Sequence, residues 1–205
     1  MAVGVVGSLF LWTRCCVWRG GKMSGMDKGA FHSAALALLG IPEHLPGTEE
    51  ERLCAVHAQQ VILRALDYAR WSFAAKETTV LLDGGVGDLP HDCLRVQGCS
   101  LERWQIRGRR IVNNGDGGEE SCTLSYTSDG YAQAVALPEH EPLFNEACIH
   151  LLAARVAPRL TTNFQLAQAL SQMGEDFLYK ASLRDAQATS SNDQRPPSPQ
   201  ELMYS

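Results

Sequence analysis

The chain has 205 residues, 45% of them hydrophobic and 20% charged, so it is long enough to bury one substantial core. Its formal net charge of −5 argues against a protein whose main task is to grip nucleic-acid phosphates through a Lys/Arg surface. The seven cysteines include no C-x-x-C pair, which indicates reduced thiols and folding in a cytoplasm.

The N-terminal stretch resembles neither a membrane span nor a signal peptide. Residues 2–12 are mostly apolar but fall short of the ~18 to 20 residues that cross a bilayer. The basic residues Arg14, Arg19 and Lys22 come after this run, whereas a signal peptide carries its positive charge first. We interpret residues 1–26 as a leader, either disordered or the product of an incorrect start, with translation beginning at Met23 or Met26.

Two helices are predicted next. The first covers residues 28–39, with Asp27 as its N-cap and Gly40 after its end. A long second helix is predicted to begin after Thr48, because Thr48 and Glu51 have the spacing of a capping box. It is predicted to end near Ala69. Its expected core face contains Ala55, Ala58, Ile62, Leu66 and Ala69.

From Trp71 onward the pattern favours extended structure. Strands are predicted at residues 71–82, 93–97, 103–107, 109–113 and 121–127, with a loop at 84–88 and a tight turn at Gly108. We therefore expect one small antiparallel sheet, within residues 71–137, inserted between the second and third helices.

A pair of helices is predicted between Leu143 and Ala188, joined by residues 158–163. Leu166, Leu170, Met173 and Phe177 recur at helical spacing and should form one apolar face. The predicted fold class is α+β and mainly α: a bundle of about four helices over residues 27–188 with an inserted sheet. Residues 189–205, polar and rich in Pro, are predicted to be an extended C-terminal arm.

No motif for catalysis, cofactor binding or metal binding is present, so we predict no catalytic, cofactor-binding or metal-ligating residues. The Gly84–Gly87 run lacks dinucleotide-loop spacing, and the His and Cys residues lack zinc-site spacing. His91, Asp92 and Cys93 bring a base, an acid and a thiol together in sequence. We interpret them as turn residues; the alternatives are a thiol- or metal-dependent enzyme centred on His91 and Cys93, or a helical interaction module of a host cell.

Several short motifs, in this order and spacing, resemble the tail tubular protein A family, the head-to-tail adaptor of podovirus-type bacteriophages. The similarity extends from about Phe31 to Ala188. The matching segments are Ala37–Pro42, Ala69–Ala74, Leu89–Val96, Trp104–Ile111, Leu124–Thr127, Pro142–Ala147 and Leu151–Ala157.

This resemblance implies a structural virion protein of a phage or prophage, without catalytic residues or cofactors. Copies of the chain would form a ring, expected to be a dodecamer, between the portal protein and the tail tube or nozzle protein. DNA would pass through the channel during ejection without sequence-specific binding, and no membrane is involved. Assembly would take place in the cytoplasm of the bacterial host.

Three groups of residues are candidate contact sites under this hypothesis. The arm would dock on the portal through Pro196, Pro197, Pro199, Leu202, Met203 and Tyr204. The polar side of the last helix, with Gln168, Gln172 and Arg184, would face a neighbouring subunit. The basic cluster of Arg103, Arg107, Arg109 and Arg110 would face DNA or the tail, or else form an ordinary solvated strand face or a subunit contact.

Overall fold

The computed structural model describes residues 25–41, 47–115, 118 and 120–193. Residues 1–24 of the predicted leader and residues 194–205 of the predicted arm lie outside these ranges. The hypotheses about an incorrect start and about portal docking therefore concern residues that are not described.

The first two helices have the predicted N-caps. Helix α1, Lys28–Ala37, begins after Asp27, whose carboxylate accepts a hydrogen bond from the Ala30 N–H at 2.8 Å. Helix α2, Glu49–Tyr68, begins after Thr48, whose hydroxyl accepts from the Glu51 N–H at 3.4 Å. The Glu51 carboxylate accepts from the Gly47 N–H rather than from Thr48, so the reciprocal contact lies one residue earlier than in a standard capping box.

Trp71 belongs to the helical core, and the prediction of a strand beginning there is wrong. A short 3₁₀ turn, Ser72–Ala74, precedes strand β1, Ala75–Leu81. Trp71 is 1% exposed, its indole N–H donates to the Ala65 carbonyl at 2.8 Å, and its ring packs edge-on against Phe144. The aromatic residues that favoured a strand, Trp71 and Phe73, instead pack against Phe144 of α4 just after the end of α2.

The single predicted sheet is also wrong, because the described residues form two three-stranded antiparallel sheets. Their strand orders are β1-β6-β3 and β2-β5-β4. The strands after β1 are β2 (Val86–Asp88), β3 (Cys93–Cys99), β4 (Trp104–Arg107), β5 (Arg110–Asn113) and β6 (Ser121–Ser128). The loop predicted at residues 84–88 contains β2, which comes close to β1 because Gly87 has no side chain: a Cβ there would lie 2.8 Å from the Leu81 carbonyl oxygen.

The two sheets share a small core of their own. Both sheets contribute to it, and the buried set is Val80, Leu82, Cys93, Leu101, Ile111, Cys122, Leu124 and Tyr126. Each sheet has one apolar face to bury, so the second sheet covers the first. A single inserted sheet would have left that face in water.

Three helices follow the sheets, which makes five in the described residues instead of about four. They are α3 (Gly130–Ala134), α4 (Pro142–Leu160) and α5 (Phe164–Asp193). Helix α3 was not predicted. Pro158 lies inside the last turns of α4, so the link between α4 and α5 is only residues 161–163.

The boundary predicted at Ala188 is wrong, since α5 continues to Asp193. Residues 189–193 contain neither Gly nor Pro, and the first Pro beyond them is Pro196. The polar composition of this segment was mistaken for extended chain. The main core lies where α1, α2, α4 and α5 meet, around Phe31, Leu36, Ile62, Leu66, Leu152 and Leu178.

Candidate functional site

The buried side of α5 is narrower than the predicted apolar face. Leu170 and Leu178 are buried and Leu166 and Phe177 are partly buried, but Met173 is 46% exposed. At Gly174 the helix lies so near α4 that a Cβ would be 2.7 Å from Leu151 Cγ. Met173 is adjacent to Gly174 in sequence and therefore about 100° away around the helix, on the solvent side.

The solvent side of α5 contains both polar and large apolar residues. The predicted interface residues Gln168, Gln172 and Arg184 are all exposed. Tyr179 (57% exposed) and Leu183 (46%), one turn apart, form what we call the exposed strip of α5, whereas the exposed Phe164 and Met173 are nine residues apart and project from opposite sides of the helix. Adjacent large apolar side chains on an uncovered surface are candidates for a protein–protein contact. Sequence periodicity identified the polar members of this surface and missed the apolar ones.

Two polar contacts hold α5 in place. The buried carboxylate of Asp185 accepts hydrogen bonds from the Ser72 N–H at 3.0 Å and the Ser72 hydroxyl at 2.5 Å. Nearer the start of the helix, Arg64 on α2 pairs with Glu175 at 2.8 Å. Ser72 and Asp185 are 113 residues apart in sequence, so no local pattern could have predicted their contact. The contacts fix which side of α5 faces solvent.

The four arginines of the predicted basic cluster have different surroundings, and two of them contact other segments of the chain. Arg109, in the turn between β4 and β5, donates to the carbonyl oxygens of Pro90, His91 and Cys93. Arg110 pairs with Asp88 at 3.1 Å.

The other two members of the cluster, Arg103 and Arg107, are exposed near the two ends of β4. The Arg107 guanidinium contacts the Gln105 side chain at 3.3 Å. Two of the four arginines thus bind other parts of the chain, which weakens the cluster as a phosphate-binding surface.

Asp92 is the centre of a hydrogen-bond network between strands. Its carboxylate accepts from the Lys76 ammonium at 2.6 Å, the Ser128 hydroxyl at 2.8 Å and the Tyr126 hydroxyl at 3.0 Å. Chiefly the Lys76 contact lowers the pKa of Asp92 to about 2. Burial, together with the hydrogen bond to Asp92, raises the pKa of Tyr126 to about 12. The network ties the segment before β3 to β1 and β6.

The His91, Asp92 and Cys93 side chains have different surroundings. His91 is exposed, while Cys93 is 6% exposed in the core between the sheets. Burial raises the pKa of the Cys93 thiol, so it stays protonated at neutral pH, and the thiolate is the reactive form. Asp92 is bonded to the strands as described. The structure therefore supports the interpretation as structural residues and gives no support to a nucleophilic centre.

Several cavities lie on the described surface, and two of them border the sheets or the segment beside α3. One, of about 390 Å³, lies beside α3 and is lined by Phe73, Lys76, Ser128, Tyr131 and Glu139, among others. The other, of about 400 Å³, lies between β3 and β4 and is lined by Leu94, Val96, Trp104, Ile106 and Arg109, among others. The sequence suggested neither cavity, because each is formed by segments that only the tertiary fold brings together.

Membrane-spanning helices and metal-ligand clusters are both absent from the described ranges. No helix there is both long and apolar enough to cross a membrane. No group of three or more His, Cys, Asp or Glu side chains there is arranged to hold a metal ion. The predicted portal-docking residues, Pro196, Pro197, Pro199, Leu202, Met203 and Tyr204, lie outside these ranges.

Comparison with known proteins adds no relative to this description. No protein-family model matches the chain, and no curated protein matches it in sequence.

Proposed function

We propose that this chain is a structural virion protein, a head-to-tail adaptor that forms a ring between the portal protein and the tail tube or nozzle protein of a phage. The observation that carries the proposal is the exposed strip of α5. Tyr179 and Leu183 leave adjacent apolar side chains uncovered on the longest described helix. In the proposed ring a neighbouring subunit covers them.

The polar residues of α5 suit the edge of such a contact. Gln168 and Gln172 lie on the same side of α5 as Tyr179 and Leu183, and Arg184 follows Leu183, so exposed polar residues flank this pair; interfaces commonly have an apolar centre with a polar rim. The contact of Asp185 with Ser72 ties α5 to the segment after α2, which limits the ordering entropy lost on association. A head-to-tail contact between unlike surfaces closes into a ring when its rotation divides a full turn, and the expected dodecamer is one such ring.

The charge of the chain fits a channel through which DNA moves. A net charge of −5 disfavours the release of counterions that makes phosphate binding tight. An adaptor must let DNA pass during ejection, so weak interaction with the polymer is an advantage. In this proposal the protein has no catalytic role, and it reaches the virion after assembly in the bacterial cytoplasm.

Ring formation is testable with one variant and a matched control. We would purify the full chain, alone and mixed with the portal protein encoded beside its gene, and examine both by native mass spectrometry and negative-stain microscopy. Leu183→Glu places a charge in the strip and should abolish the ring. Leu81→Glu makes the same change at a side chain that is 78% exposed on β1 and should leave the ring intact.

Two results would contradict the proposal. One is a chain that stays monomeric alone and with the portal protein under all conditions tested. The other is a ring that Leu183→Glu and Leu81→Glu affect equally, because the strip of α5 would then have no special part in assembly. A genome without a portal gene near this one would also count against the adaptor function.

A further inference from the structure

Asn114 is the one asparagine of the chain that is followed by glycine. It lies directly after β5, at the start of the connection to β6, and it is exposed. Its backbone N–H donates to the Arg103 carbonyl oxygen at 2.9 Å. Within the described residues its side chain makes no hydrogen bond. The carboxamide of Asn114 can therefore turn toward the backbone nitrogen of the residue that follows it.

Asn145 and Asn163 differ from Asn114 in both respects. The side chain of Asn145 donates to a backbone carbonyl oxygen at 2.7 Å, and that of Asn163 accepts from the Leu166 N–H at 3.0 Å. Each is followed by a residue with a large side chain, which crowds the approach of the next backbone nitrogen to the carboxamide carbon. Gly115 has no Cβ, so it leaves that approach open and allows more backbone conformations.

We propose that Asn114 is a site of deamidation and that Asn113 slows the reaction. The backbone nitrogen of Gly115 gives up its proton and attacks Cγ of Asn114, where a new C–N bond forms. The bond from Cγ to Nδ2 breaks, and Nδ2 takes up a proton and leaves as ammonia. Water then opens the cyclic imide at one of its two carbonyl groups, which leaves either Asp or an isoaspartyl linkage. The reaction needs water alone and no oxidant, reductant or cofactor.

The side chain of Asn113 keeps the attacking nitrogen in its unreactive form. Its Oδ1 accepts a hydrogen bond from the Gly115 N–H at 2.8 Å. An amide oxygen is too weak a base to remove that proton, so the bond stabilises the reactant and must break before the ring closes. Loss of the Asn113 side chain should therefore speed deamidation by about two- to tenfold.

Deamidation would change the start of the β5–β6 connection in charge and in length. Either product carries a carboxylate in place of the Asn114 carboxamide, which makes the net charge of −5 more negative by one. The isoaspartyl product also lengthens the backbone by one carbon atom, which displaces the Gly115 N–H from Asn113. The proposal does not depend on the adaptor function, because the reaction involves only this chain and water.

Peptide mapping by mass spectrometry, after incubation of the full chain at pH 8, tests the proposal. We expect Asp and isoaspartyl products at Asn114, while Asn145, which lies in the same tryptic peptide of residues 111–155, stays unmodified. The rate should rise with pH, because the attacking nitrogen must lose its proton. Asn114→Gln is the control, since its longer side chain cannot close the same ring and should lose no ammonia.

Two variants and one peptide test the part of Asn113. Asn113→Ala should speed the reaction at Asn114 by about two- to tenfold, and Asn113→Asp, which keeps an acceptor, should not speed it. If Asn113→Ala perturbs the fold, a synthetic peptide of residues 111–118 decides the question, because its Asn114 should react faster than that of the unaltered protein.

Three results would overturn the proposal. One is an Asn114 that stays intact in the full chain while the same residue of the peptide is converted. Another is conversion of Asn145 as fast as that of Asn114, because the selectivity that the structure indicates would then be absent. Equal rates in the unaltered chain, in Asn113→Ala and in the peptide would overturn the part assigned to Asn113.

Discussion

The contact between Asp185 and Ser72 gives the sharpest test of how α5 is held. Asp185→Ala removes an acceptor that is 8% exposed and leaves the Ser72 N–H and hydroxyl without it. Hydrogen bonds to a charged group contribute about 1.5 to 3 kcal/mol each. Ser72 is itself exposed, so water can replace part of the loss, and removing the carboxylate also removes its desolvation cost. We expect Asp185→Ala to lower the free energy of unfolding by about 2 kcal/mol.

Urea denaturation followed by circular dichroism, at one fixed protein concentration, measures this change. Asp176→Ala is the matched control, since Asp176 is an exposed acid on the same helix and should cost less than about 0.5 kcal/mol. A double-mutant cycle with Ser72→Ala isolates the bond to the hydroxyl, for which we expect a coupling of about 1 kcal/mol.

If the Asp185→Ala protein were as stable as the Asp176→Ala protein, the Asp185–Ser72 contact would not stabilise α5. Strict additivity of the stability changes of Ser72→Ala and Asp185→Ala would lead to the same conclusion, because two residues that share a hydrogen bond must be coupled. In either case α5 would be held by its apolar contacts alone, and the orientation of the exposed strip would be less firmly fixed than the structure indicates.

Three further predictions concern the sheets and the helical core. The pKa of Asp92 is about 2 in the folded chain and about 3.9 in the unfolded chain. The ionised carboxylate therefore contributes about 1 to 2 kcal/mol to the free energy of unfolding above about pH 4, and this contribution is lost as the pH falls toward 2. Asp92→Asn should flatten that part of a stability–pH curve, and an unchanged curve would contradict the network. Gly87→Ala places a Cβ 2.5 Å from Val80 Cγ1 and should cost about 1 to 3 kcal/mol by thermal denaturation, whereas Gly98→Ala, with open space at its Cβ, should be nearly neutral. Cys148 is fully buried, and this burial raises the pKa of its thiol. Peptide mapping should therefore show no alkylation of Cys148 by iodoacetamide at pH 8 under conditions that label the half-buried Cys99. Equal labelling of the two cysteines would show that the core opens.

Local signals in the sequence were sufficient for the elements with strong end markers. Thr48 with the acidic residues after it located the start of α2, and Gly108 located the turn between β4 and β5. These features depend on residues a few positions apart, so they can be recognised without the tertiary fold. Pro142 likewise stands at the first turn of α4, where a missing N–H costs nothing.

The errors arose where a distant contact decides the structure. Trp71 looked like a strand residue because its partners, Ala65 and Phe144, are invisible to a local pattern. Strand β2 looked like a glycine loop because the need for glycine at Gly87 comes from the close approach of β1. Met173 fits the spacing of an apolar stripe, but the buried side of α5 follows Leu170, Gly174 and Leu178, and Met173 lies outside it.

The candidate sites show the same division. The exposure of Gln168, Gln172 and Arg184 follows from helical periodicity, and the structure agrees with it. The basic cluster could be recognised as a run of arginines, but the contacts of its members could not be predicted. The carbonyl oxygens that Arg109 contacts lie in the segment before β3 and at the first residue of β3. The cavity between β3 and β4 could not be predicted at all, since it depends on which strands fail to pair.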